Sequence, residues 1–422
     1  MERYDLVFRL YADYDAESIR DLQDFLDVFP PVDSRTALDY WQDASDELDE
    51  RKDEIRDAFA AGEEFAEVAA RASRDQAFTA LDLHSKYDRG VNALVLDVDE
   101  TLRSAGRTDN EIPRQTLHLL TEFHEAGVPI VICTGQTLEN VKGFMIQGLG
   151  NELVHSGTFS IVYEAGTGVF TPGHGSRTKK LLYDELDASV REVFDEIRSR
   201  VLPQAPDDLR ESVHLQGNEF NVTLKPNFDI GSDEAAAVID RGLVYLVDLL
   251  GRAVYNAAED AADAADAAPA DATPEEWARA YYADADPEIA TVLDAEDAAP
   301  DCDPENVPGV VRSLFERIDV AYYHADAAEI GSLELNKTEG VKAALGVLDV
   351  DDPFVLVMGD SKSDLRVMRW AKENNAGIAA APEHASQEVL DHVRDTDELV
   401  YDRGDAASVL RIAYVLNVLD EL

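Results

Sequence analysis

The stretch Ala93-Leu94-Val95-Leu96-Asp97-Val98-Asp99-Glu100-Thr101-Leu102 decides how this chain of 422 residues is read. A short unbroken apolar run marks a strand buried on both faces, since a half-exposed strand would alternate. Two carboxylates, one residue apart, stand where the run ends. Ligands of parallel α/β sheets collect at the carboxyl ends of strands, so a site is expected here.

Working outward, the downstream pattern alternates. A polar loop, Arg103 to Asn110, leads to a helix from Pro113 to Ala126, with Pro113 suited to a first turn and Gly127 to a stop. Pro129-Ile130-Val131-Ile132-Cys133 is a second apolar strand, ending in Thr134-Gly135. A helix from Thr137 and a strand near Phe159 to Tyr163 complete a β-α-β-α-β run, which favours a parallel sheet with right-handed crossovers. The pattern resumes far downstream: a helix from Thr338 to Leu345, a strand Phe354-Val355-Leu356-Val357-Met358, then Gly359-Asp360-Ser361-Lys362-Ser363-Asp364. A helix over 365–373, a short strand near Gly377–Ala380 and a helix over 405–419 finish the chain.

Between these halves the order is different. Leu186, Val190, Val193, Phe194 and Ile197 mark an amphipathic helix. Strands Ser212 to Gln216 and Glu219 to Lys225 and a helix Asp233 to Tyr255 follow, with further strands at Ile318–His324 and Ala328–Leu333. This is a separate α+β unit. Asn221, Thr223 and Lys225 fall on one strand face, and Lys225 is a candidate anion or hydroxyl contact. Residues 257–305 begin as an Ala/Asp-rich, low-complexity insertion, expected to be solvated and partly helical. Residues 1–90 read as helices without chemistry. Ile19, Leu22, Phe25, Leu26 and Phe29 form one stripe, ended by Pro30-Pro31. Leu38, Trp41, Ser45, Leu48, Lys52, Ile55 and Phe59 form another, suited to intramolecular packing or to a homo-oligomeric seam.

Asp-x-Asp alone carries little here, because about one residue in five is acidic. It recurs at Asp13/Asp15, Asp284/Asp286, Asp301/Asp303, Asp349/Asp351 and Asp395/Asp397. Context separates Asp97 and Asp99 from these, and Asp360 shares that context, with Asp364 a helical turn later. Several carboxylates converging on one crevice repel one another unless a cation sits among them. A hard ion such as Mg²⁺ suits oxygen ligands and bridges to phosphate. Thr134 and Lys337 would orient phosphoryl oxygens, and one carboxylate left for proton transfer completes a parts list for phosphoryl transfer through an aspartyl intermediate.

The bulk composition narrows the class. The net charge is −50, from 87 acidic against 37 basic residues. That balance argues against a nucleic-acid partner, which needs a basic stripe. It reads as adaptation to a salt-loaded, halophilic cytoplasm, resembling proteins of halophilic archaea. No apolar run approaches the ~20 residues of a membrane span, and the charged first ten residues are unlike a leader. Two cysteines, Cys133 and Cys302, build no disulfide framework, so a reducing cytoplasm is expected.

The four motifs together resemble the haloacid dehalogenase superfamily of phosphohydrolases. Leu94 to Leu102 is similar to its hhhDxDxT motif, Ile130 to Gly135 to its strand ending in Thr, Leu335 to Val341 to its lysine motif, and Gly359 to Asp364 to its GDxxxD motif. The resemblance implies a Rossmann-like α/β core at 91–166 and 334–422, an inserted α+β cap at 167–333, and 1–90 as a helical extension. A cap in that position resembles the second cap class, which holds Cof-like and sugar-phosphate phosphatases and phosphomannomutases. By resemblance, Asp97 is the nucleophile and Asp99 the general acid and base. Thr134, Gly135 and Lys337 hold the phosphoryl group, and Mg²⁺ is bound by Asp97, the Asp99 carbonyl, Asp360 and Asp364. Glu100 stands where the family commonly has Gly, Ala165 where it often has Asn, and Ser363 where Asn is common. The function expected is Mg²⁺-dependent hydrolysis of a small phosphomonoester, with a sugar phosphate as the favoured substrate, through an aspartyl-phosphate; the alternatives are a phosphomutase of the same branch and a catalytically silent binding scaffold.

Overall fold

The computed structural model describes residues 2–29, 34–103, 111–216, 220–228, 230–258 and 273–422. The loop expected over Arg103 to Asn110, the Pro30-Pro31 stop and the Ala/Asp-rich start of the insertion therefore lie largely outside the described residues. Two compact units are present: residues 1–165, 169–180 and 340–422, and residues 166–168 and 181–339.

The strands, in chain order, begin with β1 (Ala93–Leu96), β2 (Ile130–Cys133), β3 (Phe159–Tyr163), β4 (Gly168–Phe170) and β5 (Lys179–Leu181). The second unit contributes β6 (Val213–Gln216), β7 (Asn221–Pro226), β8 (Ile318–Tyr323) and β9 (Ala327–Ser332). Then come β10 (Val355–Met358), β11 (Gly377–Pro382) and β12 (Leu399–Tyr401). The larger sheet runs β12-β11-β10-β1-β2-β3-β4-β5. The pairs from β12 to β3 are parallel, with Leu94 opposite both Leu356 and Ile130. Every residue of β1, β2, β3 and β10 is buried, which is why these strands appear as unbroken apolar runs. From β1 the chain moves outward one way to β2 and β3, while β10 to β12 lie on the other side. The gap between β1 and β10 is thus a topological switch point, where an α/β sheet opens a crevice.

The smaller sheet is antiparallel, ordered β6-β7-β9-β8, and β8 alternates buried and half-buried residues as a one-faced strand should. The long helix Ser232–Ala257 buries Leu243, Leu246, Val247, Leu250 and Val254. Composition misled in the second half of the insertion. The helices Pro274–Ala285 and Pro287–Ala295 are folded elements that bury Trp277, Ile289 and Leu293, so this part is no solvated excursion. A few apolar residues at helical spacing outweighed the surrounding Ala and Asp. Among the described residues no helix is long and apolar enough to cross a membrane.

The N-terminal helices belong to the first unit. Helix Arg74–Tyr87 starts in a capping box, Ser73 with Gln76, and Gln76 also donates to Ser408 of the C-terminal helix Ala406–Asp420 at 2.8 Å. In helix Arg35–Ala58 the stripe residues Leu48, Lys52 and Ile55 are buried within the chain. Lys52 donates to Gln23 and to Glu67, both at 2.8 Å. Arg71 reaches Asp27 at 2.5 Å and Glu122 at 3.0 Å, while Arg411 reaches Asp24 at 2.5 Å and the Arg71 carbonyl at 2.6 Å. Removing one partner of so buried a network strands the others, at a cost of roughly 3–5 kcal/mol.

His118 sits in the same network, 3.1 Å from Asp27 and 3.2 Å from Glu122. The hydrogen bond to Asp27, then that to Glu122, raises its pKa from 6.5 to about 9. A raised histidine pKa contributes stability that is full below 6.5 and is lost as pH rises through about 9. We predict that urea unfolding of wild type and His118→Ala differs clearly at pH 7 and that the difference shrinks by pH 10. A constant difference would show that His118 acts by packing alone.

Candidate active site

Two strand ends and the start of one helix bring three of the expected residues, Asp97, Asp360 and Asp364, together at the switch point. Asp97 directly follows β1, its N–H donating to the Met358 carbonyl of β10 at 2.9 Å. Asp360 lies just past β10, and its carbonyl accepts from Ser386 N–H at 2.9 Å. Asp364 lies in the first turn of helix Lys362–Glu373, whose N-cap is Ser361. There its Oδ2 accepts from the Ser361 N–H at 3.1 Å and hydroxyl at 2.6 Å, so it is both a helix-start carboxylate and a member of the cluster. Gly359 makes this possible: a Cβ there would lie 2.3 Å from the Asp364 Cβ.

Among the described residues, Asp97, Asp360 and Asp364 each place one carboxylate oxygen within 4.8 Å of the others. Asp97 and Asp364 are buried, at 6% and 3% exposure. Unit charges about 5 Å apart repel by ~3 kcal/mol at an effective dielectric near 20. An oxygen-only, crowded, buried set of this kind fits a hard divalent cation such as Mg²⁺. Tyr401, at the end of β12, registers the same field. Burial first, then the charges of Asp360, Asp97 and Asp364, push its phenol well above the usual value, so it stays neutral and donates to the Thr101 carbonyl.

Asp99 is half exposed and points to different partners. Arg103 reaches its Oδ1 and Gln136 its Oδ2, both at 2.6 Å. Thr134, following β2, is buried, and its hydroxyl accepts from the Gln136 N–H at 3.1 Å. Gly135 beside it is exposed, with no atom where a Cβ would stand. Lys337 belongs to the second unit, buried at the first residue of helix Lys337–Val347. Gly166, with φ of 102°, packs so closely there that a Cβ would meet the Asn336 carbonyl at 2.0 Å. Lys225 is paired with Asp326 at 3.1 Å, and its strand neighbours Asn221 and Thr223 both donate to Glu329 at 2.8 Å.

Sequence reasoning missed a set of side chains flanking the cluster. Glu100 pairs with Arg403 at 2.6 Å and lies 3.2 Å from His384. Only one signal pointed there, the departure from Gly at position 100. The backbone explains it, since Glu100 has φ of 56°, a left-handed conformation that favours glycine. Ala165, the other departure, has φ of 55° for the same reason.

Residues 94–161 match the model of the haloacid dehalogenase-like hydrolase family. This segment of the core, from β1 into β3, is similar to that family. No curated protein matches the chain in sequence. Among solved structures, a HAD/COF-like hydrolase from Plasmodium vivax is similar at 14% identity and a TM-score of 0.45, covering 81% of this chain and 99% of that one. The sucrose-phosphatase of Synechocystis, solved with sucrose and phosphate, gives 11% and 0.42, covering 78% and 98%. Trehalose-6-phosphate phosphatase from Aspergillus fumigatus gives 13% and 0.43, covering 80% and 97%.

The backbone at position 100 yields a test. Glu100→Ala loses the ion pairs and keeps a side chain in the left-handed region. Glu100→Gly loses the same pairs but relieves about 1 kcal/mol of strain. Thermal unfolding is expected to rank Glu100→Gly above Glu100→Ala by that amount. The reverse order would refute the strain at this turn.

Proposed function

We propose that this hydrolase is a Mg²⁺-dependent phosphatase that releases phosphate from a small phosphomonoester, with a phosphorylated sugar as the favoured substrate class. The observation that carries the reading is the crowded carboxylate set at the ends of β1 and β10. Asp97, Asp360 and Asp364 would hold the cation, together with the carbonyl of Asp99. When bound, the cation neutralises charge on the cluster and on the phosphoryl oxygens.

The residues divide the remaining work. Asp97 supplies the nucleophilic oxygen: it forms a bond to phosphorus as the bond to the leaving alcohol breaks. Asp99 gives its proton to that alcohol. It then takes a proton from the water that attacks phosphorus, which breaks the bond to Asp97 and frees phosphate. Thr134, Gly135 and Lys337 would hold phosphoryl oxygens, and Lys225 would be a contact to the substrate. The acidic composition, with a net charge of −50, supports a working medium of high salt.

Phosphate release from p-nitrophenyl phosphate and from a panel of sugar phosphates, with Mg²⁺ in molar KCl, tests this reading. Turnover is expected for the wild type, and Asp97→Asn should lose it by at least about 10³-fold, since no residual route replaces a nucleophile. An Asp97→Asn protein as active as its parent would overturn the mechanism.

A further inference from the structure

The carboxylate of Asp99 is held by three donors from two loops. Arg103 Nε and Nη2 donate to Oδ1 at 2.9 and 2.6 Å, and Gln136 Nε2 donates to Oδ2 at 2.6 Å. The donors are themselves fixed. The Arg103 side chain is 14% exposed against 51% for Asp99, and its Cζ stands 4.6 Å from the centre of the Phe144 ring. Its backbone also bridges to that of Asp99, and its N–H donates to the Val98 carbonyl at 3.1 Å. Gln136 is anchored through its own backbone: its carbonyl accepts from Glu164 N–H at 2.9 Å and its N–H donates to Thr134 Oγ1 at 3.1 Å. An exposed aspartate with two rotatable bonds would otherwise sample several rotamers.

A carboxylate offers about four acceptor positions in its plane. Arg103 occupies the two on Oδ1 and Gln136 one of the two on Oδ2. Among the described residues one position remains, on Oδ2. We propose that Arg103 and Gln136 are positioning residues which fix Asp99 so that this single lone pair of Oδ2 carries the proton exchanged with the leaving group and then with water. The inference rests on the phosphatase reading and adds to it which oxygen acts and what aims it. In the first step the Oδ2 proton passes to the departing oxygen as the P–O bond breaks. In the second, Oδ2 regains a proton from the attacking water as the bond from phosphorus to Asp97 breaks. Charge-assisted, forked contacts such as those from Arg103 hold geometry more strictly than neutral ones.

The consequence is a dependence on the leaving group. A phenolate leaves poorly without a proton, whereas a nitrophenolate scarcely needs one. We therefore compare kcat/KM for phenyl phosphate and p-nitrophenyl phosphate, because kcat/KM covers events through departure of the leaving group. Arg103→Met is expected to lower the value for phenyl phosphate at least tenfold more than for p-nitrophenyl phosphate. Arg103→Lys should restore part of that difference, and Gln136→Leu, which keeps the arginine, should show the same selectivity to a smaller degree. Equal slowing of both substrates in Arg103→Met and Gln136→Leu, or no slowing of either, would overturn the positioning role. A wild type inactive on both substrates would instead overturn the phosphatase reading itself.

Discussion

Three carboxylates that repel one another at the mouth of a parallel sheet set the terms for the rest of this molecule. Their closeness is not a by-product of an acidic composition, because most acidic residues here lie on the surface, where salt screens them. Asp97 and Asp364 are buried, and the fold spends specific features to bring them near Asp360. Gly359 gives up a side chain so that Asp364 can approach, and Ser361 ties Asp364 to the start of its helix. Tyr401 stands by as a neutral hydroxyl in a negative field. The proposed cation would offset that repulsion.

The N-terminal helices show the same economy of positive charge. Basic residues are few beside acidic ones, 37 against 87, yet Arg71 and Arg411 are both 7% exposed. Guanidinium groups are placed where several carboxylates from different helices meet, Asp24, Asp27 and Glu122 among them. Burial works against ionisation of Asp27, but the hydrogen bond from His118 and the charge of Arg71 override it and hold the carboxyl below its usual range. The helices are thereby matched to one docking position by charge as well as by apolar packing.

The sheet was legible because its central strands are buried on both faces and so have no polar positions to break the run. Asp97 and Asp360 were legible by their place at strand ends, and Asp364 by its position one helical turn after Asp360. What remained hidden were contacts with no local pattern. Glu100 meets His384 and Arg403 across some 280 to 300 positions, and one more charged residue in so acidic a chain carries no signal. Arg103 and Gln136 were equally silent, since the first opened a polar loop and the second followed a motif already assigned. β4 and β5 have three residues each, too short for a period to show. Positions 100 and 165 did leave a trace, because a left-handed backbone normally selects glycine or asparagine.

The central claim is that a divalent cation relieves the repulsion among Asp97, Asp360 and Asp364. It is tested most directly by thermal unfolding of wild type and Asp360→Asn in constant molar KCl, with and without Mg²⁺. Without Mg²⁺ each protein sets its own baseline. With Mg²⁺ at a hundredfold excess over its Kd, the wild type should gain about 2.7 kcal/mol and the variant much less. An equal response of both proteins to Mg²⁺, or a wild type that does not respond, would contradict the account.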